Sequence, residues 1–381
     1  MPSFIHTADL HLGRPFRKLG RLGEQIRQAQ LQTLKNIVDA VRETRSDFLV
    51  IAGDLFDSNA VSLDMARYVL DCFASLAPVP VYILPGNHDV LDSASIYHTI
   101  TRLGRLPYNV TVLVEAAQEV TPCPGVAVFA AACTAKQGGD RPLRRLMSLA
   151  SQSDAKYKLA VVHASVDVPG LSIDPLESLV SREDIESCPF HYIAMGHWHS
   201  RQVWSQGSIQ ALYPGTPETL GFGETPSPGT VTLVSLGDTL RIQEIPVGVY
   251  KWVKLTLDLS LMPDLDAVIQ RVMQEAGDKT LLRLEFEGSL TGEADWAHDL
   301  DISRLEEEIA RHFFYVEIDA SRVAFHEPDP GEFVPNSVGR AFCEIMAERI
   351  AGTQDSAEKQ LLEEALRRGV LYLSGKAVIR P

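Results

Sequence analysis

Five apolar, strand-like runs in the first two-thirds of the chain each stop at a cluster of polar side chains. "SFIHTAD" ends on Asp9, with His11 two residues on. "DFLVIAGD" ends on Asp54, with Asp57 close behind. "VPVYIL" breaks at Pro85-Gly86 and runs straight into Asn87, His88 and Asp89. "KLAVVHA" delivers His163, and "HYIAMGHWHS" delivers His197 and His199. Runs this continuous suit strands buried on both faces of an α/β sheet. Between the first two, Leu22, Ile26, Ala29, Leu34, Ile37, Val38 and Val41 recur at helical spacing, and a second helical stretch spans roughly 62–76. Ligands of open α/β sheets bind beyond the carboxyl ends of strands, so this architecture would gather the five clusters in one place.

Singly, each cluster is weak. A histidine after a strand is more often structural than a ligand, and Gly-Asp alone is a turn. The ordered set is selective. Asp9 and His11, like His197 and His199, stand two apart and share a direction while the chain stays extended. Carboxylates, imidazoles and one amide oxygen, without thiolate, suit Mn²⁺, Fe²⁺, Zn²⁺ or Mg²⁺ in an open site. The donors are too many for one ion and sufficient for two. Two ions about 3.5–4 Å apart clamp a reacting phosphoryl group.

A net charge of −15 argues against nonspecific nucleic-acid binding. Bound divalent ions would offset it, and so would the local basic stretch Arg14, Arg17, Lys18, Arg21 and Arg27, whose plainer reading is a solvated loop and helix start. The five cysteines are scattered with no C-x-x-C pair, which fits reduced thiols and a cytoplasmic protein. No apolar run approaches a membrane span, and the N-terminus reads as a first strand, not a signal peptide. His6, His98, His191, His298, His312 and His326 fall outside the pattern and read as structural.

The character of the chain changes near Tyr250. "WVKLTLDLS" and "LLRLEFEG" alternate as strands with one wet face, with helices after each and then "FFYVEID". We read residues 1–248 as the catalytic domain, 249–326 as a small α+β capping domain and 327–381 as a linker and helical tail. In the tail, Val338, Phe342, Ile345, Met346 and Ile350 share one helix face, and a second helix ends at Gly369.

"HTADLHLG", "AGDLFD", "PGNHD", "GHWHS" and the later "YPGTPETLGFGE" resemble the calcineurin-like metallophosphoesterase superfamily and, within it, the SbcD/Mre-type DNA repair nucleases. The resemblance covers roughly residues 1–245; beyond that only the layout matches. It implies a four-layer sandwich of two mixed β-sheets flanked by helices. It also implies two divalent ions, with manganese suggested by relatives. Asp9, His11 and His199 would hold the first ion, Asn87, His163 and His197 the second, and Asp54 both. His88 would act on the scissile phosphate, oriented by Asp89. Asp57 would support the site or cap a helix, and Arg14, Arg17 and Lys18 would meet DNA. The implied activities are 3′-to-5′ exonuclease action on duplex ends and endonuclease action on single strands or hairpins. The implied partners are an SbcC-like coiled-coil ATPase on the C-terminal helices and a second copy of the chain. The rival readings are a phosphodiesterase of nucleotides or small phosphodiesters and a non-catalytic scaffold subunit.

Overall fold

A computed structural model describes residues 1–20, 22–133, 139–167, 177–206, 209–289, 302–324, 333–353 and 355–373. The chain forms two compact units, Met1–Lys251 and Trp252–Pro381.

The strands of the first unit are β1 (Ser3–Thr7), β2 (Phe48–Ala52), β3 (Val81–Leu84), β4 (Val110–Val112), β5 (Gln118–Cys123), β6 (Val126–Ala130), β7 (Tyr157–His163), β8 (Ser165–Val166), β9 (Leu179–Val180), β10 (Tyr192–Gly196), β11 (Gln202–Gln206), β12 (Ile209–Tyr213), β13 (Thr230–Ser235) and β14 (Arg241–Pro246). Its helices are α1 (Leu22–Thr44), α2 (Leu63–Ala74), α3 (Ile96–Arg102), α4 (Pro142–Ala150) and α5 (Arg182–Ser187). One sheet has the order β14-β13-β1-β2-β3-β4, and the other β11-β12-β10-β7-β6-β5. Each contains four parallel strands extended by antiparallel ones: β13 and β14 on the first, β5 and β11 on the second.

The sheets pack face to face. Phe4, Phe48, Val50 and Leu84 of the first meet Val128, Val161, Tyr192 and Leu212 of the second in a shared apolar layer. The outer face of the first sheet is covered by α1, α2 and α3 through Ile37, Val41, Val69, Phe73 and Ile100. The outer face of the second is covered by α4 and α5 through Leu143, Leu146 and Ile185. The result is a four-layer α/β sandwich. Both parallel sets therefore lie between two apolar layers, which explains why their sequences are continuously apolar.

The second unit holds a three-stranded sheet, β15 (Lys251–Asp258), β16 (Gly277–Ser289) and β17 (Phe313–Ala324), with α6 (Leu265–Met273), α7 (Ile302–Ala310), α8 (Val338–Gly352) and α9 (Ser356–Leu373). Val268, Val272, Leu305 and Ile309 pack with Leu282, Leu284 and Phe286. Two details differ from the sequence reading. Gly369 does not end a helix: α9 runs through it to Leu373, and a Cβ there would collide with the Phe342 ring, so this glycine serves close helix packing. The apolar stripe of α8 is also split. Cys343 and Met346 are buried, whereas Val338 and Ile345 are exposed, because only one side of the helix is covered. His298, His326 and most of the linker before α8 lie outside the described residues. Among the described residues, no helix is long and apolar enough to cross a membrane.

Candidate metal centre

The five polar clusters meet at the carboxyl ends of β1, β2 and β3 from one sheet and β7 and β10 from the other. The turns beyond these ends are backbone-unusual. Asp9, His11, Asp54 and His197 all have positive φ (55°, 46°, 50° and 110°). Non-glycine residues seldom adopt this region unless their surroundings impose it. The surroundings here are specific. Asp9 and His11 donate their backbone N–H groups to the Gly53 and Asp54 carbonyls (3.1 and 3.0 Å). Gln30 of α1 donates to the Leu10 and His11 carbonyls, both at 3.0 Å. The His197 N–H lies 3.1 and 3.0 Å from the two Asp9 carboxylate oxygens. Gly86 is glycine because a Cβ there would run into the Asp54 carboxylate.

The donor atoms face one another. His163 Nδ1 lies 2.9 Å from the Ala52 carbonyl, so it carries the proton and leaves a lone pair on Nε2. That lone pair meets Asn87 Oδ1 at 2.8 Å and Asp54 Oδ2 at 3.4 Å. His197 Nε2 lies 3.3 Å from Glu177 Oε2, which turns Nδ1 toward the same Asn87 oxygen at 3.2 Å. His199 Nδ1 lies 3.1 Å from Glu224 Oε1, and its Nε2 faces His11 Nε2 at 3.1 Å. His11 Nε2 is also 3.6 Å from Asp54 Oδ2. Acceptors aimed at acceptors in a buried site need a cation between them, either a proton or a metal. The donor set fits divalent metal. Among the described residues, the atoms of Asp9, His11 and His199 lie within 4.8 Å of one another, as do those of Asp9, Asp54 and His163, and those of His11, Asp57 and His88.

The proton affinities of these groups carry the same message. Burial alone would push the His163 imidazole down, but the Asp54 carboxylate, with Asp9 behind it, drives it up to about 10. Burial would raise Asp54, but His163, His11 and His88 hold it well below the usual carboxylate range. His197 is pushed down, by burial first and then by His163.

His88 differs from its neighbours. It is exposed, its ring stands edge-on to His11 at 4.6 Å between centroids, and its Nδ1 lies 3.0 Å from the Asp57 carbonyl. Its backbone N–H donates to Asp54 Oδ1 at 2.9 Å. The expectation that Asp89 orients His88 is corrected here. Asp89 is fully buried; Oδ1 accepts from the Gly86 N–H at 2.7 Å, and Oδ2 accepts from the Phe56 N–H at 3.1 Å and the Tyr97 hydroxyl at 2.6 Å. It ties the turn after β3 to the turn after β2, and the Asp57 backbone sets the ring. Burial, with the nearby Asp54 charge, raises the Asp89 carboxyl to about 6. Asp57 caps no helix, since Ser62 is the N-cap of α2. Its Oδ1 instead faces His11 Nδ1 across 3.4 Å, close but out of line for a hydrogen bond.

Arg14 lies 5.7 Å over the Phe16 ring, and its charge reaches both Asp57 and His199. Arg17 is exposed in a short helical turn. The Lys18 side chain lies outside the described residues. The sequence reading missed Glu177, Glu224 and Gln30 as supports of the site. Glu224 lies in the "YPGTPETLGFGE" segment already singled out; the other two carry no spacing signal.

Residues 2–201 match the profile of the calcineurin-like phosphoesterase family. An uncharacterized metallophosphoesterase, YhaO, of Bacillus subtilis is 25% identical over 309 residues, 75% of this chain and 72% of that protein. The DNA double-strand break repair protein Mre11 of Archaeoglobus fulgidus is 25% identical over 348 residues, 84% of this chain and 74% of that protein. Among solved structures, a dimetal phosphatase from Danio rerio aligns with 65% of this chain and 96% of its own, at 15% identity and a TM-score of 0.45.

Proposed function

Because the chain belongs to the calcineurin-like phosphoesterase family, we propose that it is a two-metal phosphodiesterase whose substrate is DNA, a nuclease of the Mre type. The observation that carries the hydrolytic reading is the set of opposed lone pairs on His163, Asn87, Asp54, His11 and His199, lying beside an exposed histidine. Asp9, His11 and His199 would hold one ion, Asn87, His163 and His197 the other, and Asp54 both. When bound, the ions supply positive charge for the phosphoryl oxygens and lower the pKa of a water.

The rest of the work belongs to the chain. His88 donates Nδ1–H to the Asp57 carbonyl, which directs Nε2 toward the phosphate; as the imidazolium, with a second proton on Nε2, the ring would give that proton to the departing oxygen and be left neutral. Asp89 holds the turn that presents Asn87 and His88 together. Arg14 and Arg17 receive the DNA backbone. The DNA assignment draws support from the Mre11 relative at 25% identity and from these arginines. The exposed apolar residues Val338, Ile345 and Leu361 of α8 and α9 suit docking on a coiled-coil ATPase of the SbcC type. Loss of ATPase capture by a chain ending at Pro335 would support that contact.

The deciding experiment offers the purified chain linear duplex DNA, hairpin DNA and bis(p-nitrophenyl) phosphate, each with Mn²⁺ or with chelator. Ion-dependent cutting of both DNA substrates is expected. Turnover of the small diester with intact DNA would move the protein to the small-phosphodiesterase reading. No turnover of any substrate despite bound ions would leave a scaffold.

A further inference from the structure

One loop, residues 214–229, ties the metal centre to the segment that leads out of the first unit. Near the centre, Glu224 Oε2 accepts from the Thr216 hydroxyl at 2.9 Å and the Leu220 N–H at 2.8 Å, while Oε1 faces His199 Nδ1 at 3.1 Å. At the other end, Glu218 is 2% exposed. It accepts from the Thr33 hydroxyl at 2.5 Å, the Val249 N–H at 2.6 Å and the Tyr250 N–H at 3.0 Å. Val249 and Tyr250 immediately precede β15, and the first unit ends at Lys251. The backbones are equally close. Val247 and Gly248 donate N–H groups to the Gly229 carbonyl at 3.1 and 3.0 Å. A Cβ on Gly248 would lie 2.6 Å from the Gly229 nitrogen and 2.9 Å from the Pro217 carbonyl.

Helix α1 braces this arrangement. Gln30, Thr33 and Asn36 recur every three residues and so share a face. Gln30 holds the His11 turn, Thr33 holds Glu218, and Asn36 donates to the Val247 carbonyl at 2.7 Å. One polar stripe therefore grips the metal centre at one end and the exit segment at the other.

We propose that Glu218 and Glu224 are positioning residues that couple the seating of His199 in the metal centre to the order of the exit segment Val247–Tyr250. The inference rests on the reading that His199 holds an ion, but not on DNA being the substrate. Ion binding fixes the His199 ring, the ring fixes Glu224, and the loop carries that constraint to Glu218 and the two amides it holds. Such coupling is reciprocal, so disturbing Glu218 must weaken ion binding although Glu218 touches no ligand.

The test uses the full chain without DNA: hydrogen exchange of the peptide spanning 245–252, and calorimetric titration with Mn²⁺. In the unmodified chain, Mn²⁺ should slow exchange at the exit amides. Glu224→Ala should speed that exchange in ion-free protein and abolish the response to Mn²⁺. Glu218→Gln should weaken Mn²⁺ binding about fivefold or more. Thr33→Val removes a single donor and provides a milder version if Glu218→Gln folds poorly; it should weaken binding in the same direction. Unchanged exit exchange in Glu224→Ala overturns the coupling, as does native Mn²⁺ affinity in both other variants. If the unmodified chain binds no Mn²⁺, the metal-centre reading fails, and the ion-free comparison with Glu224→Ala still decides the coupling.

Discussion

His163 and His6 are both buried imidazoles on facing sheets, and their surroundings drive them in opposite directions. His6, on β1, lies in the dry layer between the sheets. Its Nδ1 is 2.8 Å from the Tyr192 hydroxyl, whose ring it meets edge-on. Burial pushes it down to about 3, only partly countered by the Met195 backbone. His163, on β7, is driven up to about 10, because the Asp54 carboxylate outweighs the same burial. Burial is therefore common to a site and to a core. The difference is what the ring faces. His6 Nδ1 meets a hydroxyl that can donate or accept, so the neutral ring can pair there in either tautomer. His163 meets only acceptors, Asn87 Oδ1 and Asp54 Oδ2, and that region is complete only with a cation in it.

The strongest way to break this contrast is to remove the carboxylate that creates it. Asp54→Asn keeps the size but removes the negative charge and replaces one of the oxygens that would hold an ion with an N–H₂ donor. Losing an outer-shell partner of a metal ligand typically costs 10–100-fold in metal affinity or activity, and Asp54 is read as a ligand itself, so hydrolysis of bis(p-nitrophenyl) phosphate should fall by more than about 100-fold. Ion occupancy by elemental analysis should fall with it. Full occupancy in the variant would mean that the Asp54 carboxylate holds neither ion. The next largest effect should come from the exposed edge. His88→Ala should lower turnover by about 10²–10⁴-fold, the usual contribution of a positioned acid or base, at unchanged ion content. Loss of an ion there would place His88 among the ligands.

The same contrast shows what was legible in the sequence. Strand ends could be read because apolar runs stop abruptly, and all five carry their polar groups to one place. His6 and Asp9 are three residues apart in "HTAD", yet only alternation of direction and the position of the strand end separate core from site. The antiparallel hairpin of β13 and β14 extends the first sheet, and its place there was invisible because it joins through β1, which pairs with β13 across more than two hundred residues. Support residues were hidden for the same reason. Glu177 and Glu224 reach their histidines from 20 and 25 residues away. Asp89 misled because adjacency suggested contact. Its carboxylate turns back to the Gly86 and Phe56 amides, since a sharp turn after β3 leaves those donors pointing inward.

His6 gives a smaller, pH-dependent prediction. Its folded pKa of about 3 lies below the unfolded value of 6.5. Between these values the unfolded chain binds a proton that the folded chain does not. The neutral ring is therefore no liability above pH 6.5, and stability is lost as pH falls from 6.5 toward 3. At about 1.36 kcal/mol per pH unit, the loss from this residue between pH 6.5 and 5 is about 2 kcal/mol. His6→Gln should shrink the difference between urea unfolding free energies at pH 7 and pH 5 by about that amount. Equal pH dependence in the two chains would mean that the dry layer admits the charge after all.

The smallest effect should come from Asp57, where the two regions of the centre overlap in one residue. Its carboxylate faces His11 Nδ1 at 3.4 Å and its backbone carbonyl accepts from His88 Nδ1 at 3.0 Å. Asp57→Asn alters the first contact and keeps the second. The misaligned carboxylate places the expected loss of ion affinity at the low end for such supports, about tenfold. Turnover at saturating Mn²⁺ should stay near native, because the carbonyl still sets His88. A fall in turnover with native affinity would reverse the assignment and make the Asp57 side chain, not its backbone, the group that positions the histidine.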